Sequence, residues 1–206
     1  MDETKAKNAI ISCHDKSGLR GFAAELLKIN PSLRIFSSSG TYRELEPVAK
    51  KNLIEISQYT GAKEMPGGLI KTLHPKIHAG ILANLEDREH AQYMESNGIE
   101  AFDLIVVNLY PFEKSVKEEK SFEETRQSID IGGVSLIEAA MKNFLRVAVL
   151  VNPGDYGSFV EALKINGGNT DLKTRLGLAK KAARHLSDYL DAINSYYDGL
   201  KLEDLR

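Results

Sequence analysis

The order of apolar and polar segments along the chain predicts strands that alternate with helices. Unbroken or nearly unbroken apolar runs predict buried strands over residues 8–13, 33–36, 53–56, 104–107 and 146–151. Segments between them carry apolar residues three or four positions apart, which predicts helices. Strands that are apolar throughout are typical of a parallel sheet covered on both faces. We therefore predict an α/β fold with a mostly parallel sheet and helices on both faces.

The last third of the chain has a different pattern, in which apolar residues are spaced alternately four and three positions apart. The series comprises Leu172, Leu176, Ala179, Ala183, Leu186, Leu190, Ile193 and Tyr197. This heptad-like stripe predicts a long helix. It favours a helix packed on the sheet and leaves open a seam shared with a second subunit. We expect one domain over residues 1–206, with a sheet core at about 8–152 and a helical part at about 153–206.

Composition and charge narrow the class of protein. The chain has 206 residues, of which 27 are basic and 29 acidic, so it lacks the basic excess of a general nucleic-acid binder. The single cysteine, Cys13, excludes an intrachain disulfide and fits a reducing compartment. No apolar run reaches the roughly 18 residues that suggest a membrane span, and the first residues lack the order of a signal peptide. We expect a cytoplasmic protein that binds neither nucleic acid nor membrane.

Ligands of parallel sheets bind beyond the carboxyl ends of the strands, which directs attention to four loops. In the loop SSSGT, small residues and hydroxyls before a helix would cradle a phosphate through Ser38, Ser39, Gly40 and Thr41. An ordinary N-capped turn is the alternative. In the loop CHDKSG, Lys16 would add a positive charge to the same phosphate, or be a solvated lysine beside a capped helix.

The segment GGLIKTLHPKIHAGIL joins two glycines to a lysine and two histidines. Gly67 and Gly68 permit close approach of the backbone to a ligand, and Lys71 could stabilise an oxyanion or transfer a proton. His74 and His78 are four residues apart, as helical zinc ligands are. However, Pro75 interrupts the helix and no third ligand is evident. The pattern favours histidines that bond to the backbone.

Two further motifs supply candidate side chains. NLYPF puts Asn108 and Tyr110 at the end of the central strand, where Tyr110 either covers the sheet edge or faces a ligand. IDIGGVSLIEAAMKN contains Asp130, Gly132 and Lys142 around a Gly-Gly helix start. Asp130 and Lys142 are also placed to interact only with the dipole of that helix.

Taken together, these motifs resemble a known family. DKSGL, SSGTYREL, EMPGGLIKTLHPKIHAGIL, NLYPF, QSIDIGGVSLIEAAMKN and AARHLSDYLDAI occur in this order. They closely resemble the IMP cyclohydrolase domain of the bifunctional purine enzyme AICAR transformylase/IMP cyclohydrolase, over residues 9–197. The resemblance implies a methylglyoxal-synthase-like α/β fold and a homodimer. It also implies closure of 5-formamidoimidazole-4-carboxamide ribonucleotide (FAICAR) to IMP without metal or cofactor.

The resemblance also implies roles for individual residues. Lys71 and Tyr110 would stabilise or protonate the formyl oxygen, while Asp130 and Lys142 would orient the carboxamide and help remove its proton. The expected phosphate and nucleotide contacts are Lys16, Ser38, Ser39, Gly40, Thr41, Thr72, Asn108 and Gly132.

The sequence departs from the family pattern at several positions. Leu69 stands where the family usually has Arg, so a phosphate-side cation is missing unless Lys63 or Lys76 replaces it. Ser39 replaces a usual glycine, and His14 stands where serine is common. Leu190 replaces a usual aspartate, and no transformylase domain is expected within these 206 residues.

Two other functions share the expected fold. Methylglyoxal synthase is one, favoured by the pair His14–Asp15 but not by KTLHP, NLYPF or the long final helix. A non-catalytic nucleotide-sensing module, like the allosteric domain of carbamoyl-phosphate synthetase, is the other. The presence of all four catalytic candidates argues against a sensing module. Fold alone does not decide among these functions.

Overall fold

A computed structural model of the protein describes residues 2–63, 65, 70, 72–118 and 120–205. Its strands are β1 (Glu3–Lys5), β2 (Asn8–Cys13), β3 (Arg34–Ser37), β4 (Leu53–Glu55), β5 (Leu104–Asn108), β6 (Ala148–Leu150) and β7 (Asn169–Asp171). A five-stranded sheet has the order β4-β3-β2-β5-β6, and every pair in it is parallel. The α/β fold and the parallel sheet predicted from the apolar runs are confirmed.

Helices cover both faces of this sheet. They are α1 (Leu19–Ile29), α2 (Ser39–Ala49), α3 (Ile56–Thr60), α4 (Pro75–Leu82), α5 (Arg88–Ser96), α6 (Phe112–Lys117), α7 (Phe122–Gln127), α8 (Ile131–Lys142), α9 (Tyr156–Ile165) and α10 (Leu172–Gly199). One apolar core joins α1, α2 and α9 to the face that carries Ile11 and Val106. The other joins α4, α8 and α10 to the face that carries Ile10 and Ile105. Successive residues of each central strand thus enter different cores, which explains why the strands are apolar throughout.

Strand order creates a crevice at one edge of the sheet. The chain runs outward from β2 through β3 to β4, and then returns to add β5 on the other side of β2. The connections that leave the carboxyl ends of β2 and β5 therefore diverge. Such a point is where parallel sheets bind their ligands.

The strand predicted over residues 146–151 was too long at both ends. Residues 146–151 form a strand only over Ala148–Leu150. Arg146 is buried, and its guanidinium donates to the carbonyls of Gly80, Ile81 and Phe102 at 2.8–2.9 Å. It also pairs with Asp103 at 3.2 Å. This residue therefore ties α4 to the sheet instead of continuing a ladder.

Two short strands were not predicted at all. β1 pairs with β7 in an antiparallel two-stranded sheet, with Thr4 opposite Thr170. These strands contain polar residues at most positions, so no apolar run marks them. Their pairing joins the first residues of the chain to the start of α10.

The long final helix is present as predicted, but the residues of its heptad-like stripe are not all buried. Ala179, Leu186 and Ile193 are buried against the sheet domain. Leu176, Ala183, Leu190 and Tyr197 are exposed. Among the residues described here, no helix combines the length and apolar character needed to cross a membrane.

Candidate functional site

A cavity of about 210 Å³ lies at the point where the connections of β2 and β5 diverge. Its walls come from the ends of these strands, from the first turns of α2 and α8, and from Thr72. The lining residues are Ser12, Cys13, His14, Lys16, Ser38, Gly40, Thr41, Thr72, Val107, Asn108, Tyr110, Gln127, Ile129, Asp130, Ile131, Gly132 and Gly133. All four loops singled out in the sequence therefore meet at one pocket.

The α2 end of the pocket suits an anion. Ser38 is the N-cap of α2, and Gly40 lies in its first turn, where backbone N–H groups have no partner within the helix. The Ser38 hydroxyl lies 2.9 Å from that of Ser12. Lys16 contributes a cation at the same pocket, and its ammonium donates to the His14 carbonyl at 3.1 Å. This combination of helix start, hydroxyls and lysine is that of a phosphate site.

The other two residues of the predicted phosphate loop, Thr41 and Ser39, hydrogen-bond to other parts of the protein. Thr41 is almost fully buried, and its hydroxyl accepts from the Cys13 N–H at 3.0 Å and donates to the Cys13 carbonyl at 3.3 Å. Thr41 therefore fastens α2 to the end of β2. The Ser39 hydroxyl donates to Glu55 at 2.8 Å, and Ser39 does not line the pocket.

Asn108 is in the pocket but is engaged with the backbone. Its side-chain oxygen accepts from the Asp15 N–H, and its amide nitrogen donates to the Asp15 carbonyl, both at 2.8 Å. This pair of bonds fixes the loop after β2 to the end of β5. Lys16, the next residue, is thereby held at the pocket.

Asp130 and Tyr110 contact each other at the pocket. Asp130 is the N-cap of α8, where one carboxylate oxygen accepts from the Gly133 N–H at 2.7 Å. Its other oxygen accepts from the Tyr110 N–H at 3.4 Å. The Tyr110 ring is partly exposed at the pocket and lies edge-on to His14, with ring centroids 4.9 Å apart. A carboxylate and a phenol thus face one cavity, as general acid–base chemistry needs.

Because position 132 is a glycine, the Thr72 side chain can lie directly against it in the pocket wall. A Cβ at position 132 would lie 2.8 Å from the Thr72 hydroxyl oxygen, which is closer than real contacts allow. Thr72 is itself buried, at 4% exposure. The absence of a side chain at position 132 therefore permits this close approach at the start of α8.

His14 and Cys13 were not among the predicted site residues, although both line the pocket. Burial, and to a lesser degree Lys16, lower the pKa of His14 below its ordinary value, which favours the neutral ring. Burial raises the pKa of Cys13 to about 11, so this thiol stays protonated and unreactive. The signal for His14 in the sequence was its position directly after a buried strand.

The remaining predicted catalytic residues do not reach this pocket or lie outside the described residues. Lys71 lies outside the described residues, as do its non-catalytic neighbours Gly67, Gly68 and Leu69. Lys142 ends α8, whose 12 residues rise about 18 Å from the end that Asp130 caps. It is exposed and does not line the pocket. Within one chain the structure therefore brings Tyr110 and Asp130 together, but not Lys142.

The histidines of the segment GGLIKTLHPKIHAGIL bond to the backbone, as the sequence suggested. The ring nitrogen Nδ1 of His74 accepts from the Lys76 N–H at 3.2 Å and caps α4. Nδ1 of His78 lies 3.3 Å from the His74 carbonyl. The Lys76 ammonium lies over the Tyr59 ring, 5.5 Å from its centroid, and neither Lys76 nor Lys63 lines the pocket. In the described part of the chain, no three His, Cys, Asp or Glu residues are grouped as metal ligands.

Comparisons with known families agree with the fold and with both parts of the chain. Residues 18–135 match the MGS-like domain, and residues 140–205 match the AICARFT/IMPCHase bienzyme. A crystal structure of ForH superposes with a TM-score of 0.75 at 29% identity, over 93% of this chain and 99% of the ForH chain.

Similar curated proteins are named as bifunctional purine biosynthesis proteins PurH. That of Persephonella marina is 44% identical over 92% of this chain, and that of Thermoanaerobacter sp. is 42% identical over 93%. The protein of Chlorobaculum parvum is 42% identical over 95%. The matches cover 36%, 37% and 37% of these relatives, so the chain spans little more than a third of their length.

Proposed function

The chain belongs to the MGS-like domain family, and from this premise we propose that it is an IMP cyclohydrolase. The proposed reaction closes FAICAR to IMP with loss of water. Three findings support it: the match of residues 140–205 to a bienzyme family that includes this activity, the similarity to PurH proteins, and the pocket itself.

The pocket has a suitable end for each part of the substrate. The 5′-phosphate would lie at the start of α2, against Ser38, Gly40 and the Lys16 ammonium. The base would then extend toward Tyr110 and Asp130, with Gly132 and Thr72 along one wall. Thr41 and Asn108 act by holding these loops together, because their polar atoms bond to Cys13 and Asp15. Ser39 plays no part in this arrangement of one chain.

The chemistry is an addition followed by loss of water. The carboxamide nitrogen bonds to the formyl carbon, and the formyl oxygen becomes a hydroxyl. That oxygen then leaves as water, which carries one proton from the carboxamide and one from the formamide nitrogen. The reacting groups belong to one molecule, so holding them in contact supplies much of the acceleration.

Asp130 and Tyr110 are the described residues that we assign to the proton transfers. Asp130 would accept a bond from the carboxamide and draw off its proton, and Tyr110 would donate to the formyl oxygen. Lys71 remains a catalytic residue by resemblance. Lys142 remains a prediction, since in one chain it stands at the far end of α8. The observation that carries the proposal is that Asp130 and Tyr110 line the same pocket as the phosphate-type loop.

We further propose a cytoplasmic homodimer that acts as a single domain and needs no metal or cofactor for this step. The apolar exposed side of α10 supports the dimer, and the lone cysteine supports the compartment.

The test is to mix the purified chain with FAICAR, without metal or cofactor, and to follow IMP by ultraviolet absorbance and chromatography. We expect turnover in the wild type and a loss of about 100-fold or more in kcat in Asp130→Asn. Asparagine is as good an N-cap as aspartate, so this variant should stay folded. Asp188→Asn, on the exposed side of α10, is the matched control and should keep full activity.

The outcomes separate the competing functions. Binding of FAICAR or IMP without any turnover would favour a nucleotide-sensing module. Release of methylglyoxal from dihydroxyacetone phosphate would favour the synthase. Full activity in Asp130→Asn would remove Asp130 from the mechanism.

A further inference from the structure

The pocket has a second side chain, besides Lys16, that can carry a positive charge. Among the described residues, the basic side chains of its lining are Lys16 and His14. Lys63 and Lys76, the candidates to replace the arginine usual in the family, are not part of this lining. Asp130 contributes a carboxylate to the same lining. While His14 is neutral, Lys16 and Asp130 therefore balance each other, and the described lining has no net positive charge.

Two side chains fix the backbone on either side of His14. Before it, the Thr41 hydroxyl accepts from the Cys13 N–H at 3.0 Å. After it, the Asn108 side chain bonds to both the N–H and the carbonyl of Asp15 at 2.8 Å. The His14 ring is thus carried by a fixed segment, and a group that is held in place before binding costs little entropy when a ligand arrives.

His14 contacts groups from both parts of the pocket. Its carbonyl accepts from the Lys16 ammonium at 3.1 Å, and its ring lies edge-on to Tyr110, with centroids 4.9 Å apart. Within the described part of the chain, neither ring nitrogen of His14 has a hydrogen-bond partner. Both nitrogens are therefore available to a ligand in the pocket.

We propose that His14 binds the 5′-phosphate of the nucleotide beside Lys16, and that its ring takes up a proton as the phosphate binds. A phosphate monoester carries about two negative charges at pH 7.5, more than Lys16 alone can balance. A protonated His14 supplies the second positive charge and a charge-assisted hydrogen bond to a phosphate oxygen. This inference rests on the proposed function, because its ligand is a nucleoside 5′-monophosphate.

The charges around His14 make its protonation depend on the ligand. Burial and the ammonium of Lys16 lower the pKa of His14, and Lys114 on α6 adds to this effect. The carboxylates of Asp15 and Asp130 act in the opposite direction but do not outweigh it. The ring is therefore neutral in the free chain at pH 7.5. A phosphate dianion beside the ring would raise the pKa, as a nearby opposite charge does.

Calorimetry measures the proton directly. IMP is titrated into the purified chain at pH 7.5 in two phosphate-free buffers of different ionisation enthalpy, and the difference in heat gives the number of protons taken up. At this pH the phosphate of free IMP is almost fully ionised, so it releases few protons itself. We expect an uptake of about half a proton or more per IMP. The Kd should rise about tenfold between about pH 7 and about pH 8.5, as the bound ring loses its proton.

Variants of His14 assign the proton to this ring. His14→Gln stays polar but cannot become charged, so it should take up no proton. It should bind IMP about tenfold more weakly at pH 7 and match the wild type at about pH 8.5. His14→Arg carries a permanent charge and should restore the affinity without proton uptake. His90→Gln, at an exposed histidine of α5, is the matched control and should keep both the uptake and the affinity. Circular dichroism checks that each variant is folded.

The outcomes separate this inference from the proposed reaction. If the wild type converts FAICAR but takes up no proton with IMP, the inference is overturned and the reaction stands. Equal uptake in His14→Gln would assign the proton to another group and overturn the inference as well. Uptake that is lost in His14→Gln, in a chain that does not convert FAICAR, would support the inference and contradict the reaction. A chain that binds no IMP would overturn the inference, whether or not it converts FAICAR.

Discussion

The space left by two glycines at the start of α8 decides what the pocket can hold. At position 133, an added Cβ would lie 2.6 Å from the Leu109 side chain and 2.8 Å from Asp130. At position 132, it would meet Thr72. Each glycine thus allows a different neighbour to approach: the loop after β5 in one case, and the segment that contains Thr72 in the other. A side chain here would change the pocket without removing any polar group from it.

Gly132→Ala should therefore weaken substrate binding while it leaves the acid–base residues intact. Thr72 is buried and cannot easily move aside, so we expect a KM raised about tenfold and a loss of about 1 to 3 kcal/mol in the free energy of unfolding. Steady-state kinetics with FAICAR and urea unfolding measure these effects.

The matched control is Gly157→Ala in α9, where an added Cβ meets nothing within 4 Å. That variant should keep its KM and gain about 0.5 to 1 kcal/mol, because alanine favours helix more than glycine does. An unchanged KM in Gly132→Ala would show that Thr72 does not shape the substrate site.

Among the elements, α10 is connected directly to the pocket. The Tyr189 hydroxyl, on the buried side of this helix, accepts from the Asp130 N–H at 2.8 Å. Burial raises the pKa of Tyr189 to about 12, so the phenol remains protonated at neutral pH. Through this bond α10 fixes the residue that caps α8.

Tyr189→Phe should test this connection. The variant removes the acceptor for the Asp130 N–H, which we expect to cost about 1 to 2 kcal/mol in the free energy of unfolding. Because the cap is then less well held, kcat should fall while substrate affinity changes little. Tyr93→Phe, whose ring is 55% exposed on α5, is the control and should behave as the wild type. If the kcat of Tyr189→Phe equals that of Tyr93→Phe, Tyr189 has a structural role only.

The central strands and α2 show which structural features can be predicted from a sequence and which cannot. Residues 104–107 are apolar and residues 8–13 are mostly so, because both faces of the sheet are covered. Their strands were therefore evident. In α2, by contrast, Tyr42, Leu45 and Val48 recur at intervals of three residues, a spacing that predicts one shared face. The structure instead buries Thr41, Leu45 and Ala49 and exposes Val48. Thr41 is buried because its hydroxyl bonds to Cys13, a contact that no local pattern encodes.

For the pocket, the meeting of the loops was predictable, but the contacts among individual side chains were not. Parallel strands bring their following loops to one edge, so the convergence of SSSGT, CHDKSG, NLYPF and IDIGG could be foreseen. The bond from Asp130 to Tyr189 could not, because 59 residues separate the partners and only tertiary packing joins them. Ser38 lines the pocket, whereas Ser39 bonds to Glu55. This difference likewise depends on how α2 begins.

For the whole molecule, two partly buried histidines set the direction of its response to pH. Burial is the main cause that lowers the pKa of both His14 and His185. Nε2 of His185 is buried and has no hydrogen-bond partner among the described residues. Since the unfolded chain binds protons at these positions more readily than the folded one, stability is full above the ordinary histidine pKa and falls as pH drops below it.

We therefore expect the melting temperature to fall between about pH 7.5 and about pH 5.5, the interval in which unfolded histidines gain protons. His185→Leu should reduce this fall and should not lower stability at the upper pH, because it removes a buried polar atom that lacks a partner. Calorimetry at several pH values measures both effects. An equally steep fall in His185→Leu would assign the pH response to other groups.

The pairing of β1 with β7 has a consequence for how the molecule is made. Thr170 donates to the carbonyl of Thr4 across 166 positions of sequence, and the Leu172 N–H donates to Asp2. On the ribosome, β1 must therefore wait until β7 has been synthesised before it finds its partner strand. Contacts this distant in sequence form late and slow folding. In a nascent chain, β1 should become protected from hydrogen exchange only after β7 and the start of α10 have emerged.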